Sequence, residues 1–104
     1  MKARAAFFER AGQPIEIREV EVPEPEPDAL IVKIRLADIC ASDVHAWHGE
    51  TPRSGPTILG HEMMGTVHQL GANVTTDSLG RPLREGDRVV YSYILPCLTC
   101  PTRV

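Results

Sequence analysis

Cys40 and the pair His61-Glu62 offer a thiolate, an imidazole and a carboxylate from two separate segments of the chain. Those donor types suit a borderline ion such as zinc, and three protein ligands leave a fourth position open for chemistry. Taken singly, each has an ordinary explanation. A cysteine beside a strand is commonly a small buried hydrophobe, and a histidine and a glutamate after a glycine make an unremarkable loop. Their company carries the argument. Ser42 and His45 follow Cys40 directly, and Gly60 and Gly65 flank His61-Glu62-Met63-Met64. Glycines there let the backbone bend tightly and approach a site closely.

The remaining elements must bring these two segments together. Nine prolines and eight glycines cut the chain into short pieces, the habit of an all-β domain with many turns. Lys2 to Glu9 reads as a strand, followed by the turn signal Ala11-Gly12-Gln13-Pro14. Ile15-Glu16-Ile17-Arg18 alternates apolar and charged residues, and the slip between Ile17 and Val20 predicts a bulge or break. Val22 to Asp28, with three prolines, is an extended connector rather than a central strand. Ala29 to Ala37 is the clearest strand, with Leu30, Val32, Ile34 and Leu36 on one face and Lys33 and Arg35 on the other.

Cys40 falls just past that strand, and Ser42 or Asp43 is the expected cap of a short helical turn over Val44 to Trp47. Gly49 to Pro56 reads as loop, and Thr57-Ile58-Leu59 runs straight into Gly60-His61-Glu62. Gly65 to Leu70 reads as a strand that stops at Gly71. After the turn-rich Asp77 to Pro82, the β-branched and aromatic run Val89 to Ile94 predicts the last strand.

Composition excludes several classes. The 104 residues suit one domain with a modest core. A net charge of −3 argues against a nucleic-acid surface, and the apolar runs are too short to span a bilayer. Glu9 and Arg10 interrupt the first apolar run well short of a secretory core, so the expected location is cytoplasmic. Three cysteines in such a chain point to metal or chemistry before disulfides.

Three blocks in order, Cys40-x-Ser42-Asp43-x-His45, Gly60-His61-Glu62-x-x-Gly65 and Gly86-Asp87-Arg88-Val89, together resemble the N-terminal catalytic domain of the zinc-dependent medium-chain alcohol dehydrogenases. The resemblance spans the chain and implies a mainly β, GroES-like, partly open β-barrel with short helical turns, residues 1–104 forming one incomplete domain of that kind. It implies catalytic zinc on Cys40 and His61, with Glu62 in or beside the coordination sphere. Ser42 would accept the substrate hydroxyl's proton, and His45 would pass it toward solvent through the cofactor's ribose. The implied activity is NAD- or NADP-dependent oxidation of an alcohol or polyol to a carbonyl, with homo-oligomers among full-length relatives. Trp47, His48 and Tyr93 are pocket-lining candidates that read equally as ordinary packing; His68 reads as a surface or structural histidine, and Asp87 as a turn organiser.

Cys97-Leu98-Thr99-Cys100 has the spacing of half a structural zinc site. Many members of the family resembled place a third cysteine where Arg103 stands here, so the pair reads either as a partial site or as a relic pair, reduced or forming a local disulfide under oxidation. No Gly-x-Gly-x-x-Gly follows a strand, and no βαβ nucleotide unit fits the length. The expectation is a truncated chain that does not bind NAD or turn over alone. The competing reading is a standalone GroES-like fragment that binds a metal or a partner without catalysis.

Overall fold

The computed structural model describes residues 1–94, and the Cys97/Cys100 expectation lies outside them. Seven elements follow in order: β1 (Lys2–Phe8), β2 (Glu16–Glu21), β3 (Leu30–Ala37), α1 (Ala41–Trp47), β4 (Thr57–Ile58), β5 (Met63–Leu70) and β6 (Arg88–Val90). They form two three-stranded sheets, β2-β1-β4 and β3-β5-β6. Every strand pair is antiparallel. The mainly β expectation is borne out.

The first sheet is a hairpin with a short addition. β1 and β2 pair without interruption from Lys2↔Glu21 to Phe7↔Glu16. The bulge or break expected between Ile17 and Val20 is therefore absent. Ile17 faces solvent at 66% exposure, while Arg18 takes the half-buried side with Val20. Arg18 can do so because its guanidinium lies over the Phe7 ring at 5.0 Å and pairs with Glu9 and Glu16. A cation–π contact and two carboxylates replace the expected aliphatic side chain.

The second sheet is irregular where the sequence looked most regular. Pairing of β3 with β5 shifts between Ile31 and Val32 and again between Ile34 and Leu36. His68 on β5 and Arg35 on β3 have no partner in that register. Two bulges interrupt the alternation expected for Ala29 to Ala37, and Ile34 and Leu36 stand exposed. β5 begins at Met63, two residues before the expected start, because Met63 pairs with Ala37. β6 is shorter than expected: Arg88 to Val90 pair with Thr66 to Met64, and Tyr91 to Ile94 leave the strand.

Gly65 sits in the middle of β5, buried against β3. A methyl group there would overlap the Lys33 carbonyl oxygen and reach within 2.6 Å of Val32 Cγ1. Its use is close approach rather than an unusual backbone angle. Phe8, Ala46 and Val67 are the buried apolar residues among those described, so the core is small. The prolyl connector after β2 is tied to the turn after β5 by Gly71 N–H to Ala29 O and Asn73 N–H to Pro27 O, both 2.8 Å. None of the described helices is long and apolar enough to cross a membrane.

Candidate metal centre

The centre is assembled by the β3–β5 pairing. After Ala37↔Met63, the ladder gains one more bond, from Asp38 N–H to Glu62 O at 2.8 Å. Cys40 lies two residues beyond Asp38, and His61 immediately precedes Glu62. Gly60, at φ +118°, supplies the turn that leads β4 into His61, a region of backbone space that side chains disfavour. The outcome is that Cys40 Sγ, a His61 ring nitrogen and a Glu62 carboxylate oxygen all lie within 4.8 Å of one another.

Cys40 itself is the N-cap of α1, with extended backbone at φ −86° and ψ 155°. The expected cap, Ser42 or Asp43, is therefore displaced: both residues lie inside the first turn. Asp43 still serves the helix start. Its Oδ2 accepts from Cys40 N–H at 3.0 Å, and its own N–H donates to Cys40 O at 3.0 Å. Its other oxygen lies 3.7 Å from His61 Nδ1, with the Asp43 side chain only 13% exposed. One carboxylate thus touches both segments that carry candidate ligands. Sequence reading gave Asp43 a cap and missed this bridge. The available signal was its place three residues after Cys40, where an acidic side chain reaches back to the helix start.

A cavity of about 510 Å³ opens on Cys40, Ser42, Asp43, Arg53, His61 and Tyr93. Ser42 therefore shares one space with two of the three candidate ligands. Glu62 opens on an adjoining recess of about 340 Å³ with Leu36, Met64, Val90 and Tyr91, and His61 lines both. Burial pushes the Tyr91 phenol above its ordinary range. Tyr93 packs on the His61 ring with centroids 5.2 Å apart. Arg53 had no signal in the sequence beyond its loop.

His45 is placed elsewhere. It stands half-exposed toward the end of α1, where Nδ1 hydrogen-bonds to Glu50. No hydrogen bond links it to Ser42 among the described residues. His48 lies against Trp47 and within 3.6 Å of Glu50. Trp47 lines a separate apolar recess with Ile15, Ile39 and Val44, and its indole N–H donates to Gln13 O at 2.9 Å; its part is packing of α1 on the β1–β2 turn. His68 is exposed on β5. Asp87 organises its turn by accepting from Arg84 N–H at 2.9 Å.

The donor set fits zinc. A thiolate, an imidazole and a carboxylate are standard zinc ligands, and their mutual spacing lets small side-chain movements close around an ion bound at about 2.0–2.3 Å. A half-buried carboxylate beside the histidine, as Asp43 provides, is the kind of partner such sites use to orient a ligand.

Residues 26–103 match the family model of the alcohol dehydrogenase GroES-like domain. Alcohol dehydrogenase 2 of Caenorhabditis elegans is 39% identical over 100 residues, covering 94% of this chain and 28% of that protein. Among solved structures, a Sinorhizobium meliloti 1021 protein described as a zinc-binding dehydrogenase and bound to NADP superposes with a TM-score of 0.76 at 37% identity, over 95% of this chain and 27% of that one. A thermostable alcohol dehydrogenase from Pyrobaculum aerophilum, bound to cobalt and zinc, gives a TM-score of 0.82 at 29% identity, over 98% of this chain and 30% of that one. The chain thus spans under a third of the length of these three proteins. With the expected fold, the three motif blocks and the match over residues 26–103 in agreement, the chain belongs to the alcohol dehydrogenase GroES-like domain family.

Proposed function

We propose that this chain is the zinc-bearing part of the catalytic domain of an NAD- or NADP-dependent alcohol dehydrogenase, with Cys40, His61 and Glu62 holding the metal. The observation that carries the reading is the convergence of those three donors within 4.8 Å from two segments joined by a single ladder. When bound, zinc supplies Lewis-acid polarisation of an alcohol or carbonyl oxygen.

This chain's own residues would do the rest. The Ser42 hydroxyl, in the same cavity as Cys40 and His61, would take the proton of a substrate alcohol, and His45, which makes no hydrogen bond to Ser42 among the described residues, would pass it outward through the cofactor's ribose. Asp43 keeps His61 turned toward Cys40, and Tyr93 covers the His61 ring. When bound, a nicotinamide cofactor would supply the hydride acceptor. The substrate is a small alcohol or its carbonyl product, handled in the cytoplasm, where thiols stay reduced.

Zinc content after gentle purification tests the site. Cys40→Ser and His61→Ala are each expected to lower bound zinc sharply, as measured by atomic absorption and competition with a chromogenic chelator. Unchanged stoichiometry and affinity in both variants sinks the assignment. The alternative, a fragment that binds metal or a partner without catalysis, gives Ser42 no task beside the ligands. It is favoured if the full-length protein binds zinc through Cys40 and His61 yet turns over no alcohol with nicotinamide cofactor, whereas loss of turnover in Ser42→Ala supports the catalytic reading.

A further inference from the structure

Glu50 is absent from every assignment above, yet the chain takes care to place it. α1 ends in a Schellman motif. His48 is the C-cap, and Gly49 follows at φ +81°. Gly49 N–H donates to Ala46 O and Glu50 N–H to His45 O, both at 3.0 Å. The second bond carries the chain back over the last turn, and the Glu50 side chain comes down on the very residue whose carbonyl it uses. Glu50 Oε2 lies 2.5 Å from His45 Nδ1, and Oε1 lies 3.6 Å from His48 Nδ1.

An ionised carboxylate only accepts hydrogen bonds. The nitrogen facing Glu50 must therefore carry the proton, and in the neutral ring of His45 the other nitrogen, Nε2, is left bare. A histidine free in water prefers the opposite arrangement, with the proton on Nε2. We propose that Glu50 is a positioning residue that fixes His45 in its Nδ1–H tautomer, so that Nε2 is ready to accept a proton. This rests on the relay reading of His45 given above. A proton taken up at Nε2 leaves Nδ1–H in place on Glu50. The ring returns to its starting tautomer when Nε2 gives that proton to water. No other residue is consumed or oxidised in the cycle.

Side-chain nitrogen shifts of the full chain, read by long-range proton–nitrogen correlation at about pH 8, where histidines of ordinary pKa are neutral, test the proposal without substrate, cofactor or metal. The expected result is a protonated Nδ1 and a bare Nε2 on His45. His68, exposed on its strand and without a carboxylate partner among the described residues, serves as the internal reference for a solvated ring. Glu50→Ala is expected to move His45 toward the His68 pattern, while an unchanged backbone amide spectrum shows that the fold persists. A wild-type His45 already carrying its proton on Nε2, or a His45 pattern unaltered by Glu50→Ala, overturns the proposal. The relay reading fails on a different result: unchanged turnover of His45→Ala in a dehydrogenase assay with nicotinamide cofactor.

Discussion

Asp38 donates its backbone N–H to the carbonyl of Glu62 at 2.8 Å, one step beyond the last paired residues of β3 and β5. That bond ends the ladder and begins the candidate metal centre. Because strand pairing fixes register, whatever holds β3 against β5 also sets the separation of Cys40 from His61 and Glu62. If the proposed centre holds zinc, stability and metal affinity are therefore coupled through one interface.

Gly65→Ala probes that coupling. The added methyl group has no room beside Lys33 O and Val32, so β3 and β5 must part locally. Overpacking of this kind costs about 1–3 kcal/mol. Urea unfolding is expected to show that loss, together with weaker zinc binding in the folded protein. A variant with wild-type stability and zinc affinity breaks the proposed link.

Trp47→Phe separates the helix's anchorage from its chemistry. The indole N–H bonds to Gln13 O, and Gly12 N–H bonds to Trp47 O, each at 2.9 Å. The variant keeps the backbone bond and most of the ring but loses the indole donor. The expected cost is about 1 kcal/mol, with zinc affinity unchanged. A marked fall in zinc affinity would instead assign Trp47 to the site.

The candidate donors were legible because donor chemistry depends on residue type, and two of the three blocks carry them in order. Strand existence was legible for the same reason: β1, β3 and β5 are apolar, short and bounded by turn residues. Registers were not. Whether Arg18 or Ile17 turns inward depends on Glu9, Glu16 and the Phe7 ring being in reach, which local alternation does not encode. The bulges at Arg35 and His68 are likewise settled between two strands. The Asp43 bridge to His61 spans segments distant in sequence, so only tertiary structure exposes it.

Acid stability is expected to depend on Asp77. Its carboxylate accepts from Arg81 N–H, from Leu79 N–H and from the Arg81 guanidinium, each at 2.9 Å. Those bonds, the Arg81 backbone first, hold its pKa below the ordinary carboxylate value. The folded value lies below the unfolded one, so the stabilisation is fully present above about pH 4 and is lost as pH falls through the folded value. In urea titrations at a series of pH values, Asp77→Asn should remove part of the acid-induced fall. A variant whose acid limb matches the wild type contradicts the assignment.

Asp43 offers the sharpest test of the centre's architecture, because its two oxygens act on different segments. Oδ2 holds Cys40 N–H, and Oδ1 faces His61 Nδ1. Removing an outer partner of a metal-bound histidine commonly lowers metal affinity about 10–100-fold. Asp43→Ala is expected to lose both contacts, with zinc affinity falling within that range and stability falling by about 1 kcal/mol for the lost helix-start bond. Asp43→Asn keeps an oxygen for Cys40 N–H but loses the negative charge beside His61. Its stability should stay near the wild type while zinc affinity still drops. Competition with a chelator of known affinity reads the metal term, and urea unfolding of the metal-free protein reads the other. If Asp43→Asn binds zinc as the wild type does, the charge beside His61 is irrelevant and Asp43 serves only the start of α1.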